Sequence, residues 1–276
     1  MARDIKFKLT VDTDEYKTDM GSTSLALKGV SDTFEITTEA LADDRVRQVK
    51  TQTSSASAWL ESSFDSSYGL NFKVTLTDEA EASLRGIHDS VISEFISYIT
   101  ADILNLEQKE LSDEAAELIA SHNDIEESLK SRLWQPVKNM HAVTQKTGKV
   151  LKLYRTLQGN RKEEISQITE ETYRYLTEKR VERNPEHLVV AVTRFNSLTG
   201  NGRLIIGDDR VTVAFSIPKS NHDDDVEFQA KVISQNLLDN TDVSADEREF
   251  LNVTGRRVKL NDGRTVKIYI DSVEDE

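Results

Sequence analysis

Chemistry needs reactive side chains brought together, so the histidines and carboxylates come first. The five histidines, His88, His122, His141, His187 and His222, lie far apart, and no pair has the H-x-H or H-E-x-x-H spacing that presents two imidazoles to one metal ion. Asp102, Glu107 and Lys109 form a D…E-x-K string like that of a metal-dependent nuclease. Such a site needs its acids on strands holding Mg²⁺, and these three fall on a helical pattern. Asp208-Asp209 sits in an expected hairpin turn, where Asp is favoured for turn geometry alone, and Asp223 to Asp225 fits a helix start. Thr147-Gly148-Lys149 lacks the earlier glycine and the following Ser/Thr of a phosphate loop, and no serine has a G-x-S-x-G context. With no cysteine, thiolate sites and disulfides are excluded. The sequence therefore assigns no catalytic residue, no metal site and no cofactor, and leans away from an enzyme.

The distribution of positive charge says more. Between Glu127 and Glu163 no acidic residue occurs, while Lys130, Arg132, Lys138, Lys146, Lys149, Lys152, Arg155, Arg161 and Lys162 all do. One cause is a face that docks on the chain's own acids, such as Asp113 to Glu127 or Asp223 to Glu227. The other is a patch for phosphate or an acidic partner, with Trp134 and Tyr154 interleaved. Candidate binding residues are Lys130, Arg132, Trp134, Lys138, Lys146, Lys149, Lys152, Tyr154 and Arg155. Arg257 and Lys259 join them from a second cluster that also holds Arg256, Arg264 and Lys267. Alternation along a strand sends Arg257 and Lys259 to one side and Arg256 to the other.

Hydrophobic period places these residues on elements. Ile5, Phe7, Leu9 and Val11 alternate with polar residues, as in a strand with one buried face. Ser22 is a candidate N-cap for a helix to about Leu41, with Leu27, Val30, Phe34 and Leu41 on one stripe. Gly29 inside it weakens the helix by about 1 kcal/mol relative to Ala, so close packing on another backbone is expected there. β-like patterns come next at Val46 to Thr53, Ser57 to Phe64 and Gly69 to Leu76, with a turn at Asp65 to Gly69. Residues Asp78 to Arg183 read as helical. A long helix runs from a Thr77 cap to about Glu107, shorter ones open at Ser112 and at Asn123 or Asp124, and Pro136 is expected to kink or end the latter. Gly148 and Gly159-Asn160 punctuate the next segment, and a last helix spans Lys162 to Val181. The stretch from Leu84 to Leu106 is apolar on more than one face. Leu84, Val91, Phe95, Tyr98 and Ile99 there are either buried among neighbours or form an oligomer interface.

The end of the chain is the clearest part. Leu188 to Asn196, Arg203 to Ile206 and Arg210 to Ile217 are β-branched runs separated by Gly/Asn/Asp turns. A helix from Asp223 to about Leu238 comes after them, with Val226, Ala230, Ile233 and Leu237 on one side. Ser244 to Glu247 could cap one more turn, and a hairpin then turns at Asn261-Asp262-Gly263. Three strands, a helix and two strands is the order of an OB-type five-stranded barrel. Val192 to Phe215 also has something of a cold-shock barrel, but where that barrel offers rows of aromatics this chain has Leu204, Ile205, Ile206, Val211 and Val213, with only Phe195 and Phe215 aromatic.

The fold expected is thus α+β: a small N-terminal sheet with a covering helix (1–77), a helical region (78–185) and an OB-like barrel (186–276). Charged residues make up 30% of the chain and the formal net charge is -14, a balance that disfavours wholesale attraction to DNA or an anionic membrane but leaves room for a local basic patch. The N-terminus carries no apolar leader, and Glu94 and Asp102 interrupt the most apolar run, so a cytoplasmic protein without a membrane span is expected.

Val192 to Arg203 together with Arg257 to Lys267 resembles the C-terminal part of an uncharacterised bacterial protein family whose members also carry a strand and a helix like Ser24 to Val30. The resemblance covers the two ends of the chain. It implies an intracellular prokaryotic or phage protein from a mobile or phage-defence locus, and brings no catalytic residues. The expected function is a non-enzymatic interaction protein that forms a homo-oligomer and binds a macromolecule, with a protein partner favoured. The alternative is a nucleic-acid binder using the basic run and the barrel, and the third reading is a metal-dependent nuclease.

Overall fold

A computed structural model describes residues 3–12, 17–47, 54–64, 68–156, 161–207, 211–217, 223–241, 243–244, 247–261 and 263–274. The chain divides into two compact units, Met1–Leu176 and Thr177–Glu276. It is α+β, as the hydrophobic periods indicate.

The first unit is built around one sheet. Its strands are β1 (Asp4–Val11), β2 (Ala56–Phe64), β3 (Tyr68–Leu76), β4 (Leu151–Thr156) and β5 (Lys162–Ile168), in the order β2-β3-β1-β4-β5. Every pairing is antiparallel. The alternation in β1 decides which face is covered: Ile5, Phe7, Leu9 and Val11 are each 1% exposed. Onto that face pack α1 (Met20–Asp43) and the helical layer of α2 (Asp78–Ser83), α3 (Asp89–Leu104), α4 (Asp113–Ser121), α5 (Asn123–Met140) and α6 (Ala142–Thr147), sharing one apolar core with the sheet. Phe7, Phe34 and Phe72 meet ring to ring at 4.7, 5.4 and 5.2 Å and tie α1 to β1 and β3. Helix α7 (Glu170–Glu178) comes after β5.

Helix α1 begins earlier than expected. Asp19, not Ser22, is its cap, and accepts a hydrogen bond from the Ser22 amide at 2.8 Å. The expectation for Gly29 holds: a Cβ there would stand 2.5 Å from the Pro136 carbonyl oxygen and 2.7 Å from the Met140 amide, so α1 and α5 cross backbone to backbone. Buried Glu35 and Glu39 on α1 accept the amides of Ala58 and Ser55 at 2.8 and 3.1 Å, so the helix occupies hydrogen-bonding groups at the start of edge strand β2.

Several expectations in the middle of the chain are corrected. The long helix from Thr77 is two, α2 and α3, separated at Gly86, whose φ of 87° a helix cannot take. Helix α5 runs through Pro136 to Met140; the proline is buried where α1 crosses, and that packing offsets the one lost hydrogen bond. Residues Asp78 to Arg183 are not all helical, because β4 and β5 lie within them and belong to the N-terminal sheet. The helix read over Lys162 to Val181 is β5, then α7, then the two-residue strand β6 (Arg180–Val181). Most of Val46 to Thr53, the start of the turn at Asp65 and the pair Gly159-Asn160 lie outside the described residues.

The second unit is the OB-type barrel its element order indicates. Strands β7 (Glu186–Asn196), β8 (Asn201–Ile206), β9 (Val213–Ser216), β10 (Leu251–Lys259) and β11 (Thr265–Val273) close in the order β7-β8-β9-β11-β10 and back to β7. All pairings in the ring are antiparallel except β9 with β11, which is parallel. Helix α8 (Asp223–Asp239) falls between β9 and β10 and seals the core with Ile233, which is fully buried. Its Asn236 accepts the Val192 amide at 2.9 Å, beside the bulge in β7, and donates to the Glu249 carbonyl at 3.0 Å.

Candidate functional site

A sheet covered on one face leaves the other to solvent. In the first unit the antiparallel register fixes which side chains share that open face. Trp59 on β2 pairs with Lys73 on β3, and Lys73 pairs with Lys6 on β1. One row along, Ser62, Asn71, Lys8, Tyr154 and Glu164 run across all five strands. In the next row lie Gly69, Thr10, Lys152 and Gln167. Trp59 is 57% exposed and Lys6 is exposed, while Lys8, Lys73, Lys152 and Tyr154 are half-buried and Thr10 is buried, so the surface is most open at the Trp59 and Lys6 row.

Lysines outnumber acids on this face by a small margin, and aromatic groups are set among them. Lys6, Lys8, Lys73, Lys152 and Lys162 share it with Asp4, Glu61 and Glu164, and Asp12 lies at its margin 3.8 Å from Lys152. Asp4 accepts from Lys73 Nζ and Thr75 Oγ1, both at 2.6 Å. These two hydrogen bonds hold the Asp4 carboxyl below its ordinary range, and the same contact raises Lys73 above its own, so both stay charged. The Lys162 ammonium lies 4.3 Å from the centre of the Tyr154 ring. Asn71 donates to Ser62 Oγ at 2.9 Å.

The basic run divides among several environments. Lys152 and Tyr154 face outward on β4. Arg155, next along the strand, alternates with Tyr154 to the helical side, where it meets Glu163 at 2.7 Å, Glu94 at 3.2 Å and the Ser90 carbonyl at 2.9 Å. Lys130 on α5 is half-buried against Asp102 at 3.0 Å, Glu126 at 3.2 Å and Glu127. Burial alone would lower its pKa; the Asp102 and Glu126 carboxylates outweigh that and raise it. Tyr98 donates to Glu126 at 3.0 Å, and burial followed by that carboxylate pushes the phenol pKa up. Arg132 reaches the Arg47 carbonyl at 3.4 Å, and Trp134, 38% exposed, carries Lys138 at 4.9 Å over its ring. These lie on α5 in the helical layer, as does exposed Lys146 on α6, while Lys149 is half-buried in the link to β4.

Contiguous charge does not reveal the lysines on β1 and β3 or the tryptophan on β2. The signal that could have found them is the polar half of each alternating strand: Lys6 and Lys8 between Ile5, Phe7 and Leu9, and Lys73 between Phe72 and Val74.

The five candidate interface residues are in the core. Leu84, Val91, Phe95, Tyr98 and Ile99 are at most 3% exposed, and no residue from Ser90 to Leu104 is exposed. Helix α3 is apolar all round because the sheet and its neighbouring helices surround it, which leaves it no side for a second copy.

On the barrel three of the cations are matched with acids. Arg256 forms a two-pronged pair with Asp271 at 2.7 and 3.0 Å, Arg257 meets Glu186 at 2.8 Å and Lys259 meets Glu182 at 3.2 Å. Arg203, on the strand pair where OB barrels carry their ligands, is engaged by the Thr212 hydroxyl and carbonyl at 2.8 and 2.9 Å. Phe195 and Phe215 stack on each other at 5.8 Å, and Phe215 is 1% exposed. Gly202 makes room for that ring, since a Cβ there would stand 2.5 Å from it. Asp208, Asp209, Arg210 and His222 lie outside the described residues.

Asp102 and Lys109, from the nuclease-like string, are engaged separately, Asp102 by Lys130 and Lys109 by the Glu164 carbonyl. Among the described residues no three His, Asp or Glu side chains are grouped so as to hold a metal ion, and no helix is long and apolar enough to cross a membrane. No family model, curated protein or solved structure matches the chain.

Proposed function

We propose that this chain is a non-catalytic binding protein whose working surface is the open face of the N-terminal sheet. The observation that carries the reading is Trp59, more than half exposed, standing in register with Lys73 and with exposed Lys6. Burying a tryptophan of this size supplies a large share of an interface's affinity, and an exposed one amid lysines is a surface in want of a partner. In a chain of net charge -14, a face on which lysines outnumber acids favours an acidic partner.

Lysine acetylation tests this. With a polyanion present, either a single-stranded oligonucleotide or poly-glutamate, Lys6, Lys8, Lys73 and Lys152 are expected to be protected, and Lys146 and Lys231 to be modified at the free-protein rate. Equal protection at all positions, or protection confined to Lys146 or Lys231, contradicts the reading.

A further inference from the structure

We infer that the partner of the open face is single-stranded nucleic acid, an inference that rests on that face being the working surface. Single strands are bound by aromatic rings on which bases stack and by cations that track the backbone. Both are present in alternation: Trp59 at one side, Tyr154 toward the other, and Lys73, Lys6, Lys8 and Asn71 between them. Trp59 on β2 and Tyr154 on β4 are three strand spacings and one row apart, about 14 Å across the strands and about 7 Å along them, roughly 16 Å in all. A few unstacked nucleotides cover that span, with their phosphates over the intervening lysines. Lys162, lying over the Tyr154 ring, marks the ring face a base would take, and the displaced ammonium can turn to that base's phosphate.

The same geometry disfavours a duplex. A broad sheet face does not enter a groove about 6 to 12 Å wide, and paired bases keep their faces inside the stack, out of reach of Trp59 and Tyr154. An acidic peptide would use the lysines but offers no row of flat rings for two separated aromatic side chains. The barrel's usual ligand face contributes no such pair, because Phe195 and Phe215 stack on each other and Phe215 is buried.

The test is fluorescence anisotropy of the full chain with labelled oligo(dT), oligo(U) and a duplex, each about fifteen nucleotides long to span the face with room to spare. Single strands should bind more tightly than the duplex, and the dT and U arms tell whether DNA or RNA is preferred. Affinity should fall with salt at a log–log slope of about -2 to -3, the release expected for three or four phosphates. Trp59→Ala and Tyr154→Ala should each weaken binding by roughly 5- to 100-fold, with Trp59→Phe restoring most of it. Lys6→Glu with Lys8→Glu should abolish it, and Lys146→Glu should leave it unchanged. Because Trp59 and Lys6 are exposed, their variants should fold, which circular dichroism checks. Tighter binding of the duplex, or indifference to both Trp59→Ala and Tyr154→Ala, overturns the inference. If poly-glutamate binds in a Lys6- and Lys8-dependent way and the oligonucleotides do not, the nucleic-acid inference fails while the open-face reading stands. If no probe depends on Lys6 and Lys8, both fail.

Discussion

The two units each present cations on a β surface, and in both some meet acids, Lys73 with Asp4 on the sheet as Arg256 with Asp271 on the barrel; they differ in what accompanies those pairs. On the barrel, Arg256, Arg257 and Lys259 each have a carboxylate at hydrogen-bonding distance, and the aromatic pair Phe195 and Phe215 is turned toward the core. On the open sheet, Trp59 is outside, Lys6 is exposed, and Lys162 lies over a tyrosine. Closure is the physical difference. A barrel consumes its inward residues in its own core and uses its outer charges on one another, whereas a sheet with helices on one side only has a second face that must be wet or occupied. A fold with a reputation for binding is therefore a weaker guide than where its aromatic side chains point.

Packing is where the contrast should produce its largest effects. Gly29→Leu forces a branched side chain between α1 and α5 at 2.5 Å from backbone, and should cost roughly 3 kcal/mol or more in urea unfolding followed by circular dichroism. Gly202→Ala in the barrel meets the Arg194 carbonyl oxygen at 2.3 Å and should cost about 2 to 3 kcal/mol. If Gly29→Leu is neutral, α1 and α5 do not cross backbone to backbone as described.

A pH effect of similar size comes from the first unit. His141 is fully buried, bonded to the Val137 carbonyl at 2.8 Å and the Thr172 hydroxyl at 2.9 Å, and burial lowers its pKa to about 4. Its folded pKa lies below the unfolded value of 6.5, so the unfolded chain takes up the proton first. The stability tied to neutral His141 is complete above about pH 6.5 and is lost as pH falls toward 4, about 3 kcal/mol in all. His141→Gln should flatten that part of the stability profile; an unchanged slope would show that other groups produce it.

Surface changes come next and separate the two regions directly. Lys6→Glu with Lys8→Glu should weaken oligonucleotide binding by about a hundredfold or more, to the point of no detectable complex, since two of the three or four phosphate contacts are lost and two charges are reversed. Arg257→Ala with Lys259→Ala should change it by less than about twofold, because these cations already answer Glu186 and Glu182. The smallest effect is expected for Arg256→Ala, which breaks a partly exposed pair with Asp271 and should cost about 0.5 to 1 kcal/mol of stability.

The barrel was legible in the sequence because its signals are local. β-branched runs punctuated by Gly200, Gly207 and Gly263, all with positive φ, announce strand and turn in order. The open face was not, for the opposite reason. Lys6, Trp59, Lys73 and Tyr154 are spread over nearly 150 positions, and only the β2-β3-β1-β4 register makes them neighbours. The sequence of β4 and β5 reads as helical because Leu151 and Leu153 give only two steps of alternation, too few to outweigh the helical pattern around them. The contiguous basic run proved a poor guide for the same reason: Lys130 and Arg155 answer the protein's own acids, and Lys152 and Tyr154 face the other way.

The chain holds only two tryptophans, Trp59 on the open sheet and Trp134 on α5, so each can be watched alone. Titrating oligo(dT) into the Trp134→Phe protein, which retains Trp59, should quench its emission as bases stack on the indole; the Trp59→Phe protein, which retains Trp134, should keep its emission unchanged. Quenching confined to Trp134, or none at either ring while anisotropy reports binding, would contradict the account.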